Sequence, residues 1–151
     1  EKINDLLIFT REEMLNEEVI RCRNAKKFEE RYLRKEFADQ VSVIRILDSR
    51  KEEFRLSKAY ENKIDVINVI TAPEIEMLII HNEGEYEHFK RSGKKPSEFC
   101  KVNLRMHNVK SYEFVKDYFS NPQTLVEAIK EYRRTANVPN GEYCLSDLLK
   151  Q

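Results

Sequence analysis

Ser42-Val43-Ile44-Arg45-Ile46-Leu47 runs directly into Asp48-Ser49-Arg50, and the reading of this stretch decides the fold. Val41 to Leu47 is rich in β-branched residues and too short for a stable helix, so it is the clearest strand in the chain. Open α/β sheets bind ligands beyond the carboxyl ends of their strands, which makes Asp48 a position for a divalent cation. A carboxylate after a strand is also a common helix cap, here for a helix starting at Lys51 with an Arg50–Glu74 surface ion pair. Position alone leaves both readings open.

Working outward, Ile64 to Ile70 alternates apolar and polar residues at several positions and reads as another strand. It leads into Thr71-Ala72-Pro73-Glu74-Ile75-Glu76, where Pro73 suits a first helical turn and Thr71 a cap. The helix is expected from Glu74 to about Ser92, interrupted or bent near Gly84. Upstream, Asp5 to Thr10 reads as a short buried strand. Arg11 to about Phe37 reads as a helix that loses phase near Asn24-Ala25, and Lys51 to Tyr60 as a mainly helical crossover. Downstream, helices are expected over Pro96 to Leu104, Ser111 to Phe119 and Asn121 to Arg134. The tail is a turn at Pro139-Asn140-Gly141 and a short helix from Ser146 to Lys150.

Strand and helix alternate three times, so the fold class is α/β: a small, mostly parallel sheet flanked by helices, with a helical C-terminal third. The 151 residues fit one α/β domain, and a first residue of Glu1 rather than Met raises the expectation that an N-terminal element precedes it. Lys plus Arg equal Asp plus Glu at 27 each, so no whole-chain charge draws the protein to nucleic acid. Cys22, Cys100 and Cys144 are widely spaced and form no CxxC pair, which argues against a zinc site or a disulfide framework. A reduced cytoplasmic setting follows from that cysteine usage. The longest apolar run, Met77 to Ile80, is too short to span a bilayer, so no membrane partner is expected. Neither GxGxxG nor GxxxxGK nor GxSxG occurs, which leaves nucleotide cofactors and serine hydrolase chemistry without support.

Several residue sets carry candidate chemistry. Magnesium takes oxygen ligands, usually one or two carboxylates with waters, so Asp48 could pair with Glu74 or Glu76. Those two lie about 200° apart on a helix, so at most one faces a shared ion. Glu76, inside an apolar run, is the preferred buried acid, with Arg45 as its structural counter-ion. His81, Glu85 and His88 fall on one helix face at ligand-like spacing, although a helix surface that happens to carry two histidines is the better reading, since Gly84 interrupts the helix. Lys90, Arg91, Lys94 and Lys95 surround Gly93 and could follow a phosphate backbone, while Arg21, Arg23, Lys26 and Lys27 form a second basic cluster. Solvated faces are the ordinary explanation of such runs. The aromatic stretch Tyr112, Phe114, Tyr118 and Phe119 reads mainly as core.

Ile46-Leu47-Asp48-Ser49-Arg50 and Ala72-Pro73-Glu74-Ile75-Glu76-Met77-Leu78-Ile79-Ile80-His81 together resemble the RloB-like proteins, whose fold is similar to the Toprim domain. In that family a strand ends in an Asp-x-Asp-like signature and a later Asn-Pro-x-Phe-Glu-x-Trp-Leu-Leu segment opens a helix. Asp48 matches the first acid, and Pro73, Glu76 and the apolar run match the later segment. The resemblance covers about residues 42 to 119. It implies a role in nucleic-acid processing or mobile-element defence, with magnesium-dependent phosphodiester cleavage as its chemistry. Asp48 would then hold the metal and Glu76 would serve the catalytic site. The family's first-strand glutamate falls at Glu12 or Glu13, which makes them further metal ligands, although no glycine follows either. Arg50 stands where the second acid of the signature belongs. The competing expectation is a non-catalytic α/β module that binds a protein partner.

Overall fold

A computed structural model describes residues 3–151. The fold is α/β, with a two-stranded parallel sheet flanked by helices and a helical C-terminal third. β1 (Ser42–Leu47) pairs with β2 (Asp65–Ile70) in a register that sets Ser42 opposite Asp65 and Leu47 opposite Ile70. Both strands therefore end together, and the segments leaving them share one end of the sheet. Further along the free edge of β2, Tyr143 adds a single parallel bridge to Val69.

The two faces of the sheet differ. Arg45 and Leu47 are buried on one face, beside a cluster of Phe28, Leu33, Leu56 and Ile64. Arg45 does not serve Glu76, as the sequence had suggested. Its guanidinium donates to the Glu52 carbonyl (3.3 Å) and to Asn68 Oδ1 (3.2 Å), lies 3.6 Å from the Glu52 carboxylate and stacks over Phe54 at 4.6 Å. Burial holds its pKa below the usual arginine range, and Glu52 opposes that effect. The other face carries Ile44, Ile67 and Val69 around a small 80 Å³ hollow that Ile8, Tyr143 and Leu148 also line.

α1 (Ala25–Phe28) opens where Asn24 Oδ1 accepts the Lys27 amide and continues as one wide turn over Glu29–Leu33. The long helix expected from Arg11 is thus confined to its second half, close to the phase break at Asn24-Ala25. Of residues 11–24, Ile20 and Cys22 pack against the cluster of Phe28 and Leu33 while Val19 is 75% exposed, and a short helix is not stable without more extensive tertiary packing. The first expected strand is also absent. Asn4–Leu6 is a 3-10 turn, followed by one antiparallel bridge, Leu7 to Leu149. Lys51 to Tyr60 is not helical either: Glu52, Phe54 and Leu56 turn inward alternately along an extended segment. Phe54, Leu56 and Tyr60 fit that period of two at least as well as a helical stripe.

The later helices follow the expected pattern. α2 (Glu74–Asn82) and α3 (Tyr86–Ser92) are separated at Gly84, whose φ of 71° favours a residue without a Cβ. α4 (Pro96–Val102) begins with proline in its first turn. α5 (Tyr112–Tyr118) is capped by Ser111 Oγ on the Phe114 amide. α6 (Pro122–Thr135) is capped by Asn121 Oδ1 on the Gln123 amide. A last 3-10 turn spans Leu145–Leu148. α2 is the hub of the main core, with Met77, Leu78, Ile79 and Ile80 packed among Phe99, Cys100, Val109, Phe119, Val126, Ala128, Ile129 and Leu149. Phe119 is buried and Phe114 and Tyr118 pack against the same core, whereas Tyr112 is exposed. No helix among the described residues is long and apolar enough to cross a membrane.

Candidate functional site at the strand ends

The shared carboxyl end of β1 and β2 is closed by hydrogen bonds between the two departing segments. The Thr71 amide and hydroxyl both donate to the Leu47 carbonyl, at 2.7 and 3.0 Å. Thr71 is thus tied to the neighbouring strand, and the N-cap position of α2 belongs to Pro73. Arg50 reaches across to donate to the Ala72 carbonyl at 3.3 Å. Its main partner is Glu142, whose two carboxylate oxygens lie 2.8 and 3.0 Å from Nε. That bond raises the arginine pKa further. The expected Arg50–Glu74 pair is replaced by Arg50–Glu142.

Asp48 lies at this end of the sheet with its side chain exposed, and it makes no hydrogen bond or ion pair with another described residue. The helix-cap reading fails for it, because no helix begins at Lys51. The Lys51 amide instead bonds to Ser49 Oγ at 3.2 Å.

The two glutamates that open α2 are both buried, and they face different surroundings, as their two-residue spacing requires. Glu74 is 0% exposed, and its carboxyl oxygens accept the Leu145 amide at 3.1 and 3.3 Å. Burial pushes its pKa up to about 7; the Leu145 bond and Arg133 pull it down, while Asp147 pushes it up. Glu76 is 4% exposed. One of its oxygens lies 3.6 Å from Lys110 Nζ, and the other has no hydrogen-bond partner among the described residues. Its backbone carbonyl accepts the Cys100 thiol at 3.7 Å. Burial raises that thiol's pKa to about 11, which makes Cys100 a core side chain and a poor nucleophile.

Glu12 and Glu13 stand in the exposed segment before α1. Glu13 accepts the Thr10 amide at 2.7 Å, and local hydrogen bonds lower the Glu12 pKa, its own backbone amide first and Thr10 next. Among the described residues no group of three or more His, Cys, Asp and Glu side chains is placed to hold a metal ion. His81 and His88 are engaged separately. His81 Nε2 lies 3.0 Å from Thr135 Oγ1 and its ring stacks on Tyr86, while His88 Nδ1 lies 2.9 Å from Glu85. The basic residues near Gly93 span the junction of α3 and α4. Lys90 lies 3.4 Å from Glu87 and 5.4 Å from the Tyr86 ring; Arg91 and Lys95 are exposed and Lys94 is half-buried.

Sequence reading missed the residues that close the strand ends from the other side. Glu142 bonds to Arg50 across 92 positions, and Leu145 to Glu74 across 71. No local motif marks either pair, because nothing short of the folded chain brings them together. No family model, curated protein or solved structure matches the chain.

Proposed function

We propose that the chain is a Toprim-like, RloB-like domain of nucleic-acid processing or mobile-element defence, with Asp48 as its magnesium position. The observation that supports this reading is the state of Asp48, a solvent-facing carboxylate at the carboxyl end of a parallel strand with no bond to another described residue. Magnesium commonly takes one or two carboxylates and keeps several waters, so one free carboxylate suits a hydrated ion shared with a phosphate. When bound, such an ion would polarise a phosphate oxygen and lower the pKa of its water. Lys90, Arg91, Lys94 and Lys95 would add positive charge along a nucleic-acid backbone. Glu76, buried beneath Lys110, supports the start of α2 in this reading. Cleavage asks for a second carboxylate beside Asp48, for which Glu12 and Glu13 are the solvent-facing candidates.

The test is thermal melting of the wild type and Asp48→Asn during magnesium and manganese titration, followed by nuclease assays on labelled DNA and RNA. A metal-dependent rise in Tm that Asp48→Asn abolishes supports the reading. Identical responses of the two proteins overturn it.

A second reading, a non-catalytic module for a protein partner, is favoured by a different observation. Ile46, Ile8 and Tyr143 are 56%, 55% and 44% exposed, and Ile8 and Tyr143 line the hollow on the open face of the sheet. An Ile46→Lys variant that leaves metal and nucleic-acid responses intact but abolishes binding to other proteins would favour that module.

A further inference from the structure

The last residues of the chain form a compact attachment over the sheet end. Gly141, at φ 83°, ends the turn after α6, and the Glu142 amide bonds back to Pro139 at 3.1 Å. From there the chain docks by backbone hydrogen bonds from three places. Ile70 N donates to Tyr143 O at 2.8 Å, Ile8 N to Leu148 O at 2.9 Å, and Lys150 N to Leu6 O at 2.7 Å. Glu142 also holds Arg50. Beneath this segment lies Glu74, fully buried, which receives the Leu145 amide at the start of the last 3-10 turn.

We propose that Glu142–Lys150 is a latch closed over the strand ends, with Glu74 as the group whose ionisation favours its opening. The groups facing Glu74 come from two elements. The latch contributes Asp147, which accepts the Cys144 amide at 2.8 Å, and the Cys144 thiol. α6 contributes Arg133, 3.7 Å from Asp147, and the Tyr132 hydroxyl. A negative charge on the fully buried Glu74 is therefore opposed by that of the partly exposed Asp147 and favoured by the Arg133 cation. The proton is held to about pH 7 by burial, so the carboxyl stays largely neutral below neutrality while the latch is closed. Opening returns Glu74 to water and to its ordinary acidity, so alkaline pH favours the open form. The same movement withdraws Glu142 from Arg50 and leaves that guanidinium free near Asp48. The latch itself does not require that nucleic acid be the ligand.

The chain carries its own reporters. Cys144 is in the latch at 1% exposure, and Cys100 is in the main core at 0%. Labelling of each thiol by a small alkylating reagent is followed by mass spectrometry from pH 6 to pH 8.5, with each rate divided by that of the urea-unfolded protein. Cys144 is expected to open more often than Cys100, and its opening equilibrium to rise about tenfold across this range, as a carboxyl released from about pH 7 to its ordinary value requires. Glu74→Gln, which keeps an oxygen for the Leu145 amide, should flatten that rise. Equal protection of the two cysteines at every pH would show that Cys144 opens only on global unfolding, and the latch would be refuted. Faster labelling of Cys144 with an unchanged pH profile in Glu74→Gln would remove Glu74 as the trigger. Both comparisons use thiol access alone, so they stand whether or not Asp48 binds magnesium.

Discussion

Replacing Glu74 by glutamine removes a carboxyl that folding takes wholly out of water, and the consequence is a change in the slope of stability against pH. In the folded protein burial raises this acid from its ordinary 4.5 to about 7. At 1.36 kcal/mol per pH unit, that displacement corresponds to about 3 kcal/mol. The sign is opposite to that of most carboxylates. Between pH 4.5 and 7 the folded state binds more protons at this position than the unfolded state, so stability falls as pH rises through the window. The contribution is complete below about pH 4.5 and lost above about pH 7. For a chain of this size the loss corresponds to a fall in Tm of about 10 °C. His81 works against it in part of the same range, because burial lowers its pKa and makes the folded state prefer the neutral ring. Subtracting the profile of Glu74→Gln from that of the wild type cancels this common contribution. The assay is urea unfolding of both proteins at pH 5, 6, 7 and 8. The wild type is expected to lose about 2.5 kcal/mol relative to the variant between pH 5 and pH 8, since part of the change already lies below pH 5. Parallel profiles, displaced by a constant whatever its sign, would refute the assignment of a buried neutral carboxyl to Glu74.

Arg45→Met should destabilise the protein by about 2 kcal/mol, because Asn68 Oδ1 and the Glu52 carbonyl lose their donor while the hydrophobic stem remains. Glu52 retains Arg23 at 3.6 Å, so the carboxylate is not left alone; a loss below 0.5 kcal/mol in urea unfolding would show that the guanidinium contributes no net stability. Ile129→Ala, at a 2% exposed position of α6 against α2, should cost about 3 kcal/mol through the cavity it leaves. A denaturation midpoint equal to that of the wild type would mean that the helices collapse to fill the space.

How much of this was legible in the sequence depends on where each residue's partners lie. The two strands could be read because β-branched residues at short spacing favour extended chain wherever they land. The break between α2 and α3 could be read at Gly84, and the starts of α4, α5 and α6 at Pro96, Ser111 and Asn121, because caps and turns act within a few residues. The acid after β1 was visible for the same reason. Arg11 to Asn24 misled, since a short helical stripe that covers little core does not hold a helix. Phe54, Leu56 and Tyr60 misled because sparse aromatic and aliphatic positions suit two periods, and the contact with Phe28 selects the extended one.

What the sequence determined by itself is local: the two strands β1 and β2, the helices that follow β2, the buried character of Met77 to Ile80, and the position of Asp48 after β1. The tertiary structure decided which charges meet. It gave Arg45 to Glu52 and Asn68, Arg50 to Glu142, and Glu74 to the Leu145 amide. It left Asp48 in water while it buried Glu74 and Glu76. A propensity acts over one turn or one strand, whereas a carboxylate's acidity and partner depend on burial and on groups tens of residues away. For Glu74 and Arg50 those groups come from the C-terminal segment, and for Arg45 from the chain between the two strands and from β2.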